Sequence, residues 1–145
     1  MKIKAFMSKR IISLDLDRTL LDVKHIFDRT RFHHLLITQH ERLVGIVSDR
    51  DYLKAMNPRI DTVNETQADR EVLKRHVNVI MSHKVISLSG EHDFFDAVTL
   101  FNEHKISCIP IVDEDHRIQG LISWRDLMRV LLERQSSQQK NENPH

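Results

Sequence analysis

Two clusters of four residues carry the side chains best suited to chemistry, Ser48-Asp49-Arg50-Asp51 and Ser123-Trp124-Arg125-Asp126. Each offers a hydroxyl, a guanidinium and a carboxylate within one turn of chain. Each follows a glycine and two branched aliphatics, Gly45-Ile46-Val47 and Gly120-Leu121-Ile122, so the pattern recurs 75 residues on. The chain has only three glycines, and two of them open these segments. Short aliphatic runs of this kind read as buried strands, here leading into helix starts. Two readings of the chemistry compete. In one, the Ser is an N-cap and the Asp three residues on is its reciprocal partner in a capping box. In the other, the free N–H groups and the helix dipole hold an anion such as a phosphate. The two hold together if the backbone is capped while the Asp carboxylate turns to a sugar. A glycine inside a strand marks the close approach of another backbone or of a ligand.

Other reactive side chains form no recognisable constellation. Ten His raise the question of a metal, yet no C-x-x-C, H-x-x-x-H or H-E-x-x-H spacing is present. His33 and His34 are adjacent, so on a strand they point to opposite faces, and His34 is expected to line the core or a ligand cleft. The single Cys108 lies in a predicted buried strand, where a free thiol acts as a small hydrophobe. Asp49 and Asp51 stand two apart at a helix start and make a poor acid–base pair. Neither a nucleophile elbow nor a P-loop occurs. No catalytic residue, no metal site and no prosthetic group are therefore expected.

Composition narrows the class further. A chain of 145 residues buries roughly 70% of its unfolded surface, enough for a core without staples. The net charge of +1 provides no basic field to hold nucleic acid. One Cys cannot form an internal disulfide and suits a reducing compartment. Residues 1–20 alternate apolar with charged residues and do not read as a secretory signal. No run approaches the ~18 apolar residues of a membrane span. A cytoplasmic location is expected.

The duplication extends well beyond the two clusters. At an offset of 74 residues, Met7-Ser8 matches Met81-Ser82, and Ile12-Ser13-Leu14 matches Ile86-Ser87-Leu88. Leu35-Leu36-Ile37 likewise matches Ile109-Pro110-Ile111. One extra residue between Asp113 and Arg117 then shifts the offset to 75. Each copy reads strand, helix, strand, strand, helix, an α/β arrangement. Strands are expected at 10–14, 34–38 and 43–47, and again at 84–88, 108–112 and 118–122. Thr19 and Asp93, each with an Asp three residues later, start the first helices, and the last helices begin near Asp49 and Trp124. At the second hairpin turn His116 stands where a glycine would be easiest. The boundaries expected are a first repeat over 1–56, a polar connector over 57–76 and a second repeat over 77–134. Within the connector, Thr66 caps a short helix. Residues 135–145 have no apolar period and are expected to be disordered.

These motifs, in this order and twice over, resemble the cystathionine β-synthase (CBS) domain family. The Met-Ser starts, the run Ile106-Ser107-Cys108-Ile109-Pro110-Ile111-Val112-Asp113 and both glycine-to-Asp segments carry the resemblance, which covers nearly all of 3–132. It implies two β-α-β-β-α repeats packed about a pseudo-twofold axis, a homodimer, and AMP, ADP or ATP bound in clefts between the repeats. Carried over, Ser48 and Ser123 contact phosphate, and Asp51 and Asp126 hold the ribose hydroxyls. A carboxylate suits that task because it accepts two strong hydrogen bonds from a vicinal diol. Arg50 and Arg125 either offset phosphate charge or are solvated helix-start residues. Ile12, Ser13, Ile86 and Ser87 line the base pocket, largely through backbone groups. The chain departs from the family pattern at Leu36, at the short first turn without glycine, and at Trp124, which either stacks on a base or packs at a dimer interface.

The resulting expectation is a non-catalytic regulatory module that senses adenine nucleotides and signals to an effector protein. The alternative is a dimerisation scaffold whose Ser-x-x-Asp segments only cap helices.

Overall fold

The computed structural model describes residues 1–142, which divide into two compact units. One unit is built from Ile11–Val85; the other joins Met1–Arg10 to the chain from Ile86 onward. The duplication in sequence runs over 1–56 and 77–134, whereas the units cut the chain differently. The segment ahead of each first strand belongs to the unit formed by the other copy.

The unit of residues 11–85 holds strand β1 (Ser13–Asp15), helix α1 (Leu20–Arg29), strands β2 (His34–Gln39) and β3 (Arg42–Ser48), and helices α2 (Asp49–Ala55) and α3 (Gln67–Glu71). The sheet order is β1-β2-β3, parallel then antiparallel. Alternation along β3 puts Leu43, Gly45 and Val47 inside. Val23, Leu35, Ile37, Val47, Tyr52 and Val77 form the core. Helix α1 starts at Thr19, whose N–H donates to Asp22 at 3.1 Å. Between β2 and β3 the chain reverses through His40 and Glu41, both at positive φ (52° and 65°). This is the twist that a two-residue hairpin requires, met here without glycine.

The second unit repeats the plan with helix α4 (Phe94–Glu103), strands β4 (Cys108–Val112) and β5 (Ile118–Ser123) and helix α5 (Trp124–Glu142). Ile3, Phe94, Ala97, Ile109, Ile111 and Ile122 lead its core. Asp113 staples its longer turn, accepting the N–H groups of Asp115 and Arg117 at 2.9 Å each, and His116 takes the positive φ of 63°.

Two expectations fail here. Residues 84–88 do not form a strand; Leu88 alone bridges to Ile111. In the first copy the Leu36 N–H donates to the Ile12 carbonyl at 3.1 Å. Pro110 stands at the position of Leu36 and has no N–H, so the equivalent bond to Ile86 cannot form. The expected disordered tail is helical as far as Glu142. Its Gln, Lys and Glu residues favour helix well enough to prolong one already nucleated. Residues 143–145 lie outside the described residues.

The segments exchanged between copies are tied in by equivalent main-chain bonds. Ser8 and Leu121 bond reciprocally, N–H to carbonyl, at 2.9 Å in each direction. Ser82 and Ile46 do the same at 2.9 and 3.1 Å. Each segment includes a single 3-10 turn, Ile3–Ala5 or Val77–Val79, whose first residue is fully buried. The repeated glycines make room for this contact. A Cβ on Gly120 would lie 2.8 Å from the Ser8 carbonyl oxygen and 2.7 Å from the Met7 sulfur. One on Gly45 would lie 2.6 Å from the Met81 sulfur.

The connector is held to its own unit by charge. Arg59 grips the buried Asp69 bidentately, both bonds at 3.0 Å, and Lys24, itself buried, pairs with Asp28 and Asp61. Arg59, followed by the Thr66 backbone N–H, holds the Asp69 carboxyl at about 2.

Two tests follow from this architecture. Gly120→Ala should destabilise by roughly 1–3 kcal/mol, and more than Gly45→Ala. The first substitution meets a backbone oxygen, while the second meets a methionine side chain that can turn away. Chemical denaturation of the two variants, with the exposed Gln119→Val as control, measures the order. Because the Asp69 carboxyl is depressed, its stabilising share is present above the usual carboxylate pKa of about 3.9 and is lost as the pH falls towards about 2. Asp69→Asn should therefore flatten the acid limb of a stability-versus-pH curve over that window.

Candidate functional site

In each unit the residues singled out from sequence gather at one end of the sheet. In the 11–85 unit, Ser13 pairs with Leu36, and His34 pairs with Ser48, where β3 runs into α2. The starts of β1 and β2 and the end of β3 thus lie side by side, at a strand spacing of roughly 4.8 Å. The other unit has the same layout. Cys108 pairs with Ser123, and Leu88 bridges Ile111, which puts Ile86 and Ser87 beside the start of β4. Ser13, Arg50 and Arg125 are exposed, while Ile12, His34, Ile86 and Ser87 are half-buried.

Both Ser-x-x-Asp segments form capping boxes. Ser48 Oγ accepts the Asp51 N–H at 3.0 Å, and Asp51 Oδ2 accepts the Ser48 N–H at 3.0 Å. Asp126 Oδ2 accepts the Ser123 N–H at 2.8 Å and its hydroxyl at 3.2 Å, while the return bond to Ser123 Oγ is longer, 3.4 Å. Capping uses one carboxylate oxygen in each copy. A carboxylate has about four lone-pair sites, so the cap does not exhaust it. The second copy adds a contact that the sequence reading missed: Arg129 Nη2 donates to Asp126 Oδ1 at 3.0 Å. The i,i+3 spacing on a helix was the available signal.

The first copy has its own addition. His33 Nδ1 lies 2.9 Å from Asp49 Oδ2, and the Asp49 N–H donates to the His33 carbonyl at 2.9 Å. Burial pushes the Asp49 pKa up, but the His33 bond and the backbone N–H of Arg50 outweigh it, and the carboxyl lies below its usual range. His34 is shifted down, chiefly by burial, so it is neutral at pH 7. Cys108, in the equivalent place, is buried, and desolvation pushes its thiol up to about 12. No sequence signal links His33 with Asp49, because only the β2–β3 register brings them together.

A cavity of about 420 Å³ opens elsewhere in the second unit, lined by Lys4, Met7, Glu91, Asp113 and Gln119 among others. None of the candidate residues lines it. Among the described residues no group of three or more His, Cys, Asp or Glu side chains is placed to hold a metal ion. Among them, too, no helix is long and apolar enough to cross a membrane.

Known proteins share the fold. An uncharacterized protein of Methanocaldococcus jannaschii is 24% identical over 134 residues, 92% of this chain but 45% of the relative. The chain thus spans less than half of that relative's length. The fold matches a putative acetoin utilization protein (AcuB) from Vibrio cholerae with a TM-score of 0.76 and 23% identity, over 97% of this chain and 96% of that one. It also matches CBSX2, solved in complex with AMP, with a TM-score of 0.75 and 20% identity, over 92% and 98% of the two chains. The family model of the CBS domain matches residues 3–67 and again 70–133. With two matches that together cover most of its length, the chain belongs to the CBS domain family.

Proposed function

We infer that the protein is a non-catalytic regulatory module that binds an adenine nucleotide, AMP, ADP or ATP, at its Ser-x-x-Asp segments. One observation carries the reading. In both units Asp51 or Asp126 is held by its cap at the same end of the sheet as the backbone of Ile12-Ser13 or Ile86-Ser87. A carboxylate fixed in this way can receive two ribose hydroxyls without reorganising, and charge-assisted bonds of this kind are strong. An adenine edge would then meet the backbone of Ile12-Ser13 or Ile86-Ser87, and the Ser and Arg of each segment would face the phosphate. AMP in the structure of CBSX2 supports the class of ligand. The nucleotide acts as a regulatory ligand, and no prosthetic group is required. Occupancy would be read by an effector protein in a reducing compartment such as the cytoplasm.

A second reading, a ligand-independent dimerisation scaffold, is favoured by one feature. Trp124, Met128, Leu131 and Leu132 leave an apolar stripe exposed along α5 at i, i+4, i+7 and i+8. A homodimer would cover it, and both readings include that dimer. Light scattering at tens of micromolar should report twice the chain mass; a monomer would remove the dimer from either reading.

Calorimetric titration separates the two. Under the sensor reading, Asp51→Ala or Asp126→Ala should weaken AMP and ATP by ~2 kcal/mol, about thirtyfold, at the segment that is occupied. Adenine alone, which has no ribose, should be little affected. If the wild type binds and neither variant changes the affinity, the carboxylates serve only as caps. In that case each should cost about 1 kcal/mol of stability and nothing in binding.

A further inference from the structure

The helices of the two copies present different outer faces. In the 11–85 unit the connector folds back onto α1. Lys24, buried on that helix, pairs with Asp61 of the connector at 2.6 Å, and Arg70 also holds Asp61 at 3.1 Å. Helix α2 stops at Ala55, and the chain then turns away through Asn57-Pro58. His25 and Asp28 on α1 are exposed, and Asp49 opens α2, so polar and charged groups stand along this side.

The equivalent positions of the second copy are uncharged. On α4 they are Thr99 and Asn102, which with Phe95 form an exposed row at i, i+4 and i+7. On α5 the stripe of Trp124, Met128, Leu131 and Leu132 continues at the same period into Gln135 and Gln139, so a face roughly 24 Å long carries no charge. The two rows belong to neighbouring helices: the Phe95 ring meets Phe94 edge-on at 5.3 Å, and Arg134 of α5 stands 5.6 Å from the centre of the Phe94 ring. A centre free of charge is what the core of a protein interface requires. The flanks match a second copy of the same face. Helix α4 carries Asp96 and Glu103 and no base, a net charge of −2. Helix α5 carries Arg125, Arg129, Arg134 and Lys140 against Asp126, Glu133 and Glu142, a net charge of +1. A twofold axis that lays α4 of one copy along α5 of the other sets acid against base twice. The five exposed apolar side chains, Phe95 included, offer on the order of 500 Å² per copy, more than half of the roughly 800 Å² that each partner gives to a standard interface.

We propose that self-association uses the second unit alone: its α4–α5 face packs on the same face of a second copy, α4 against α5, while α1 and α2 stay outside the contact. The connector and the charges of the first copy set its helices apart from this role. The inference rests on the homodimer common to both readings above and assigns that dimer its surface and its symmetry.

The test uses the full chain in sedimentation equilibrium across a dilution series. Met128→Glu and Leu132→Glu, each placing a charge on the face in both copies, should raise the dissociation constant of the dimer roughly thirtyfold or more. Leu53→Glu, at the position of α2 equivalent to Met128 and exposed like it, should leave the constant unchanged. Cysteine cross-linking gives an independent reading that needs no loss of the dimer. The native Cys108 is buried, so a thiol-reactive bifunctional reagent addresses only an introduced cysteine. Met128→Cys should link to its own copy, and Leu53→Cys should not. A wild-type dimer that both glutamate variants of α5 leave intact would overturn the proposal and spare the dimer of the two readings. So would a Leu53→Glu variant that dissociates equally, or links between Leu53→Cys and Met128→Cys in a mixture of the two. A wild type that stays monomeric at tens of micromolar would refute the proposal and that dimer together.

Discussion

Each unit depends on a short main-chain contact between a Met-Ser segment and the edge of a strand. β3 and β5 would otherwise expose unpaired N–H and carbonyl groups along one side, and the reciprocal bonds of Ser82 with Ile46 and of Ser8 with Leu121 close that edge at one point. The approach is close enough that a Cβ on the facing residue would meet the Ser8 carbonyl oxygen in one unit and the Met81 side chain in the other. This accounts for Gly45 and Gly120 in a chain that otherwise has one glycine. Gly120 thus answers to an approaching backbone, and Gly45 to the packed Met81 side chain. The bond between Ser8 and Leu121 also spans most of the sequence, yet the entropy of closing so long a loop grows only logarithmically with its length.

That closure leaves the opposite features of each copy free to diverge. Burial constrains the cores, and Ile37 and Ile111 or Val47 and Ile122 occupy equivalent places fully enclosed. The first helical residue after each capping Ser bears no such constraint. It is Asp49 in one copy and Trp124 in the other. The residue facing that Ser across the hairpin is His34 in one and Cys108 in the other. Duplication thus preserves the cap, a backbone necessity, while the charge and polarity around it differ.

The capping boxes also show why a structural and a binding role need not exclude each other. The same carboxylate that satisfies the Ser48 or Ser123 N–H is held in one rotamer by doing so. A group held in place loses little entropy when it meets a ligand. Ordering the helix start and presenting an acceptor for hydroxyls are then consequences of one arrangement.

Much of this was legible in the sequence because it is local. Caps are set within four residues, and strands declare themselves through aliphatic alternation. The repeat is visible as matched residues at a constant offset. Hence Ser48, Asp51, Ser123 and Asp126 could be placed at helix starts, and β2, β3, β4 and β5 located, from the sequence alone. Tertiary structure decided what depends on distant partners. It assigned the segments before β1 and before Ile86 to the opposite copy's unit, because their hydrogen bonds go to strands that local pattern cannot name. It reduced the strand expected at 84–88 to one bridge, since Pro110 lacks the N–H that Leu36 supplies. It joined His33 to Asp49 through a strand register that neither residue encodes. Sequence determined what a few neighbouring residues can satisfy by themselves; the fold decided every pairing in which each partner needs a group that lies far along the chain.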